Sequence, residues 1–197
     1  MEISLIRHGK SKFTDNHPIT GEEFKNWVKS YDDIGVFKEH LYPQETLNKI
    51  QSVNIVISSD LKRSIESAKL LHQNINITSM PLFRETELPI PLIKGIKLNP
   101  NVWLFTLRCL WFLGYSRDCE SIFNAKLRAQ KAAQVLIEQA QEHKSIALVG
   151  HGVFNMFIRK ELLKKGWIGK RKTSSKHWSC MTYYFNKTNI VKNKHDI

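Results

Sequence analysis

The feature that most constrains this fold is an alternation of two hydrophobic periods along the chain. Short, β-branched apolar runs occur at ISLI (3–6), VNIVIS (53–58), INITSM (75–80), SIALVG (145–150) and MTYYF (181–185). Several are nearly continuous rather than alternating, which suits strands covered on both faces. Helical spacing lies between them. After SSD, the stretch LKRSIESAKLLHQ (61–73) sets Leu61, Ile65, Ala68 and Leu71 at near-helical intervals, with Ser59 or Asp60 as the candidate cap. ESIFNAKLRAQKAAQVLIEQAQE (120–142) repeats Ile122, Ala125, Ala129, Ala132, Leu136 and Ala140 without Gly or Pro, and VFNMFIRKELLKK (153–165) stops at Gly166. Strands alternating with helices predict an α/β chain with a mostly parallel sheet and helices on both faces.

A parallel sheet presents side chains at the carboxyl ends of its strands, where such folds place their chemistry. Three of the strand ends here are of one kind. The first run leads into Arg7, His8 and Gly9, the second into SSDLKR with Arg63 in the first helical turn, and the fourth into Gly150, His151 and Gly152. If those strands are neighbours, two imidazoles and two guanidiniums converge. Guanidinium forks match phosphate oxygens, and helix N-termini add backbone N–H groups, so the expected ligand is a dianionic phosphoryl group. A neutral imidazole is a nucleophile near pH 7 when its other ring nitrogen is held, and flanking cations would stabilise the transferring group. A leaving alkoxide needs a proton. Glu85, in LFRETELP, is the expected donor, with Glu87 as its rival.

LIRHGKS, SSDLKRSIESA, LFRETE and LVGHG resemble, in order and approximate spacing, the four signature segments of the histidine phosphatase superfamily, the phosphoglycerate mutase-like family. The resemblance implies a three-layer α/β/α sandwich around a mostly parallel sheet. It also implies His8 as a transiently phosphorylated nucleophile, Arg7, Arg63 and His151 as phosphate ligands, Glu85 as proton donor, and no metal or organic cofactor. The chain departs from the pattern in three places. Many members carry Asn where Thr14 stands, which leaves Asn16 as a substitute contact; ITGEEF only echoes the usual L-T-x-x-G segment; and TELPIPLIKG replaces G-x-W-E-G, which argues against mutase activity. NWVKSYDD and WLFTLRCLWFLGY resemble a bacterial branch of the superfamily. The activity implied is hydrolysis of phosphomonoesters or phosphoramidates on a phosphorylated small molecule.

With 197 residues and 42% hydrophobic content, one domain over 1–197 is expected, with 10–50 and 84–119 as cap or lid segments following strand ends. Trp103 is the candidate pocket residue in the second segment, with Phe105 and Trp111 beside it. The net charge of +12 favours anionic partners. A contrasting reading is a basic binding protein with a vestigial site, contacting a polyanion or a protein partner through KKGWIGKRKTSSKHW (164–178). That run matches no nucleic-acid module and reads as a solvated loop, so no nucleic-acid partner is expected. Cys109, Cys119 and Cys180 form no C-x-x-C pair, and the apolar window 102–114 is broken by Arg108 and too short to span a bilayer. With no signal-peptide pattern, a cytoplasmic location is expected. His17, His40, His72, His143, His177 and His195 lack metal-ligand spacing and read as surface residues, while the tail at 187–197 is expected to fray. Walker, G-x-G-x-x-G and G-x-S-x-G motifs do not occur.

Overall fold

The computed structural model describes residues 1–91, 93, 95–171, 174 and 176–186. In chain order the elements are β1 (Glu2–Arg7), α1 (Gly21–Asp32), α2 (Gln44–Gln51), β2 (Ile55–Ser59), α3 (Lys62–Leu71), β3 (Ile77–Met80), a 3-10 turn (Pro81–Phe83), α4 (Pro100–Phe112), α5 (Ile122–His143), β4 (Ser145–Gly150), α6 (Gly152–Lys164), β5 (Ile168–Gly169) and β6 (Cys180–Tyr184). The strands form one sheet in the order β3-β2-β4-β1-β6-β5. The first four of these are parallel, and β6 and β5 add an antiparallel edge.

Strand alternation divides the sheet into two covered faces, as the near-continuous apolar runs predict. Ile3, Leu5, Ile57, Ile146 and Leu148 face a core completed by the alanine stripe of α5 and by Phe154, Phe157, Ile158 and Leu162 of α6. Ile6, Val56, Ala147 and Val149 face a second core with Ile50 of α2 and Ala68 and Leu71 of α3. The result is the expected three-layer α/β/α sandwich around a mostly parallel sheet. Helix α6 ends as Gly166 predicts: Gly166 takes φ +83°, and Trp167 N–H and Gly166 N–H bond to the carbonyls of Leu162 and Leu163.

This topology opens a crevice at one position. The chain leaves β1 for α2 on one face and leaves β4 for α6 on the other, although β1 and β4 are neighbours. Helices diverging from adjacent parallel strands create a gap outside their carboxyl ends, where open α/β sheets bind ligands. Arg7 pairs with Gly150 there, and His8 N–H donates to the Gly150 carbonyl at 3.0 Å.

The two interrupting segments meet each other. Phe24 and Trp27 of α1 pack with Trp103 and Leu107 of α4 in a third apolar cluster, and an isolated bridge joins Ile19 to Leu98. Helix α2, inside the segment 10–50, belongs not to this cluster but to the sandwich layer. Nor is the cap of α3 as expected: no side chain caps it, Ser59 Oγ accepts from Leu61 N–H, and Asp60 pairs with Arg84 instead. Helix α4 buries Trp103, Leu107 and Trp111 and leaves Phe105, Phe112 and Leu113 exposed. The tail at 187–197 and positions 172, 173 and 175 of the basic run lie outside the described residues.

Trp111 anchors α4 to the main core, fully buried, with Nε1 donating to the Glu120 carbonyl at 2.7 Å. Trp111→Ala removes that packing and leaves a cavity, so urea unfolding followed by circular dichroism should show a loss of about 3–5 kcal/mol.

Candidate active site

His8 and His151 follow directly on paired strand ends, and this places their rings 5.0 Å apart between centroids. Both are buried. His8 Nδ1 lies 2.7 Å from the Gly9 carbonyl. A carbonyl can only accept, so Nδ1 carries the proton and the neutral ring keeps its lone pair on Nε2. His151 Nε2 meets Ser64 Oγ at 3.2 Å, while its Nδ1 is buried with no hydrogen-bond partner among the described residues.

Helix α3 supplies the third wall. Arg63, Ser64 and Ser67 lie on its buried side, Ser67 Oγ accepting from Gly9 N–H and donating to the Arg63 carbonyl. The α3 backbone is thereby tied to the turn that holds His8. Arg63 is itself buried, and the anion its position in a first helical turn requires is supplied by Asp32 at the end of α1. Its Nη1 bonds Asp32 Oδ1 at 2.5 Å, its Cζ lies 4.9 Å from the Tyr31 ring centroid, and its Nε is buried with no partner among the described residues.

Close packing accounts for the glycines beside the histidines. A Cβ on Gly9 would fall 2.0 Å from the Trp178 ring, and one on Gly150 would fall 2.8 Å from Asn155 Oδ1. At Gly152, by contrast, a Cβ would meet the Arg7 guanidinium at an ordinary contact distance of 3.5 Å, so packing does not demand glycine there.

Helix α6 has no local side-chain cap. Glu85 supplies one from a distant loop, accepting from Val153 N–H at 3.1 Å and Phe154 N–H at 2.9 Å, with Thr86 N–H as a third donor. This sets the Glu85 carboxylate two and three residues beyond His151. Glu87 is exposed and turns to Glu120 N–H, so the two glutamates lie in different surroundings. Arg84 takes no part in holding Glu85, since it is bidentate with Asp60.

A cavity of about 980 Å³ opens between α1 and α4, and Arg63, Glu85, Trp27, Tyr31, Leu104 and Arg108 are among its lining residues. The two imidazoles are not among its lining side chains. Trp103 is absent too: it is buried in the cluster between α1 and α4, with Nε1 donating to the Ile19 carbonyl. Phe105 points outward and Trp111 inward to the core, so neither lines the cavity as expected. Thr14 is exposed, and Asn16 is occupied with Asn99 and Asn101 at the start of α4, so neither is brought to the histidines. The structure therefore gathers Arg7, His8, Arg63, Glu85 and His151 and leaves out Thr14, Asn16 and Trp103.

The sequence reading missed Ser64, Ser67, Asp32 and Tyr31, and it misassigned His177. That residue is half-buried, its Nδ1 is 3.1 Å from the His8 carbonyl, and its ring centroid is 5.6 Å from that of His8. Two serines at interior positions of an otherwise apolar helix face were the only local signal for α3. His195 lies outside the described residues. Among the described residues, no group of three His, Cys, Asp or Glu side chains is arranged to hold a metal ion, and no helix is long and apolar enough to cross a membrane. The three cysteines are free.

The fold and the paired histidines define a phosphoglycerate mutase-like α/β protein. A family model of the histidine phosphatase superfamily (branch 1) matches residues 43–194, and the chain belongs to that superfamily. The matched span contains Arg63, Glu85 and His151, with His8 ahead of it. Curated protein sequences give no match. Among solved structures, a mycobacterial glucosyl-3-phosphoglycerate phosphatase is 15% identical with a TM-score of 0.57, covering 92% of this chain and 88% of its own. A mutant phosphoserine phosphatase from Entamoeba histolytica in complex with phosphoserine is 16% identical with a TM-score of 0.54 over 94% and 91%. A phosphoglycerate mutase from Bacillus anthracis is 15% identical with a TM-score of 0.58 over 98% and 96%.

Burial first, and the Arg63 charge second, hold both His8 and His151 well below the ordinary imidazole value of 6.5. Both are neutral in the folded protein at pH 7. The unfolded chain binds protons at these positions below 6.5 and the folded chain does not, so stability falls as pH drops through 6.5. The slope is up to about 1.4 kcal/mol per pH unit for each imidazole. Calorimetric melting between about pH 8 and about pH 5 should show that fall, and the double variant H8Q/H151Q should flatten it.

Proposed function

We propose that this chain is a metal-independent phosphatase that hydrolyses phosphomonoesters, or phosphoramidates, through a phosphohistidine at His8. The observation that carries this reading is the His8 Nδ1–H bond to the Gly9 carbonyl, which leaves the Nε2 lone pair unengaged among the described residues, with the charges of Arg63 and Arg7 and a second imidazole close by. In the first step Nε2 attacks phosphorus, the ester P–O bond breaks, and Glu85 gives its proton to the departing oxygen. Arg7, Arg63 and His151 take the equatorial oxygens, Arg63 and His151 through nitrogens that now lack partners. In the second step water attacks phosphorus, its proton passes to the Glu85 carboxylate, the N–P bond breaks, and inorganic phosphate leaves. The positive charges that other phosphoryl-transfer sites draw from metal ions come here from side chains.

Both glutamates line the cavity, and support for Glu85 over Glu87 is positional: Glu85 bonds the backbone of the residues that follow His151, whereas Glu87 bonds Glu120 N–H. The substrate is a phosphorylated small molecule: the cavity is large enough for an organic group beyond the phosphoryl, and the Entamoeba histolytica neighbour holds phosphoserine. The segment after Glu85 runs TELPIPLIKG and makes hydrolysis a better reading than mutase transfer.

The test is turnover of an aryl phosphate by purified protein with chelator present. Wild type should release phosphate, His8→Ala should lose at least about 1,000-fold in kcat, and Glu85→Gln should lose about 100-fold. Rapid quench with labelled substrate should trap an acid-labile, base-stable phosphoryl group that His8→Ala does not form. No turnover by wild type, or unchanged turnover in His8→Ala, would favour the contrasting reading of a basic binding protein.

A further inference from the structure

Resting on that phosphatase reading of the cleft, the geometry points to Asp32 as a positioning residue that orients Arg63 for the phosphoryl group. A guanidinium presents its donors along edges, and the side-on edge is formed by Nε and Nη2. Asp32 holds Nη1, the nitrogen that does not belong to that edge. Nη1 is the one Arg63 nitrogen with a hydrogen bond among the described residues, and Nε is buried without a partner. The Tyr31 ring beneath Cζ fixes the tilt of the guanidinium plane. Rotation and tilt are thus both set from α1, and the Nε–Nη2 fork is left for two oxygens of one phosphoryl group.

Nothing on α3 itself does this work. Its first turn carries no acidic residue, and no side chain caps it. The end of α1 does so with a carboxylate, an aromatic face and the negative end of its own dipole. Helix α1 is in turn a lid element. It starts at a capping box between Thr20 and Glu23, and its Phe24 and Trp27 seat on α4. Seating of the lid and orientation of the phosphate clamp are therefore one event, because Tyr31 and Asp32 form the last turn of the helix that walls the cavity. A substrate whose organic part fills the space between α1 and α4 stabilises the seated lid and, through Asp32, the clamp.

The experiment measures binding of inorganic phosphate by calorimetry and inhibition by orthovanadate, on the full chain, for wild type, D32N, D32E, R63A and the double variant D32N/R63A. D32N should weaken both anions by about tenfold or more, D32E should recover part of the loss, and adding D32N to R63A should cost nothing further. Circular dichroism melts establish that each variant is folded; if D32N does not fold, D32E and Tyr31→Leu carry the same comparison. Unchanged or tighter anion binding in D32N overturns the proposal, tighter binding meaning that the carboxylate competes with phosphate. Additive losses in D32N and R63A overturn it as well. Calorimetry needs no turnover, so a wild type that binds phosphate without hydrolysing esters would fail the phosphatase reading while leaving the Asp32 result to stand by itself.

Discussion

The parallel pairing of β1 with β4 is the constraint on which the candidate site depends. Arg7 opposite Gly150 is the last rung of that ladder, and the next backbone bond, His8 N–H to the Gly150 carbonyl, continues it one residue past the strand. A one-residue slip in this register would send every β1 side chain to the opposite face and carry His8 out of the crevice. The register is pinned from both faces at once, since Ile3 and Leu5 pack under α5 and α6 while Ile6 packs under α2 and α3. Two separate cores thus hold one pair of imidazoles in contact. The fully buried interior of β4, from Ile146 to Val149, gives that ladder its rigidity.

Beyond the ladder, each polar group at the crevice is fixed by an element remote in sequence. Glu85 caps α6, Ser67 ties α3 to Gly9, Asp32 turns Arg63, and Trp178 lies over Gly9 with its N–H on the Arg7 carbonyl and its own carbonyl accepting from Thr46. These contacts use polar groups that the fold would otherwise have to satisfy another way. Helix α6 needs an acceptor at its uncapped start, and the buried Arg63 needs an anion. Structural necessity and positioning for chemistry coincide in the same bonds, which leaves little freedom for the cluster to relax.

What could be read from the chain without coordinates follows from how local each cause is. The strands at 3–6 and 145–150 and the helix at 120–142 carry their own periodicity, and the observed β1, β4 and α5 agree with them to within two residues. Helices α1 and α2 escaped notice because their buried positions are few, Phe24 and Trp27 in one and Thr46 and Ile50 in the other. A start signal is present nonetheless: in ITGEEF, which only echoes the family's L-T-x-x-G segment, Thr20 and Glu23 form a capping box. Asn99 with Pro100 marked the start of α4 in the same way. The Asp32–Arg63 bond, spanning 31 residues, and the approach of His177 to His8 across 169 had no local trace, because tertiary packing alone creates them.

Charge works at two scales in this molecule. The chain as a whole is strongly basic, yet six acidic and six basic side chains line the cavity, so the excess charge is not concentrated there. Much of the lining is already paired, Arg84 with Asp60, Arg128 with Glu120 and Arg63 with Asp32. The surplus on the surrounding surface raises the local concentration of anions over a distance limited by salt screening. It cannot select among them. Selection falls to the fork geometry of a few oriented donors, which act only at contact range and are insensitive to the net charge of the chain. On the proposed reading, a change in surface lysines should therefore alter how fast anions arrive, whereas a change at Asp32 should alter how well a phosphoryl group is held at Arg63, and the two effects separate by their dependence on ionic strength.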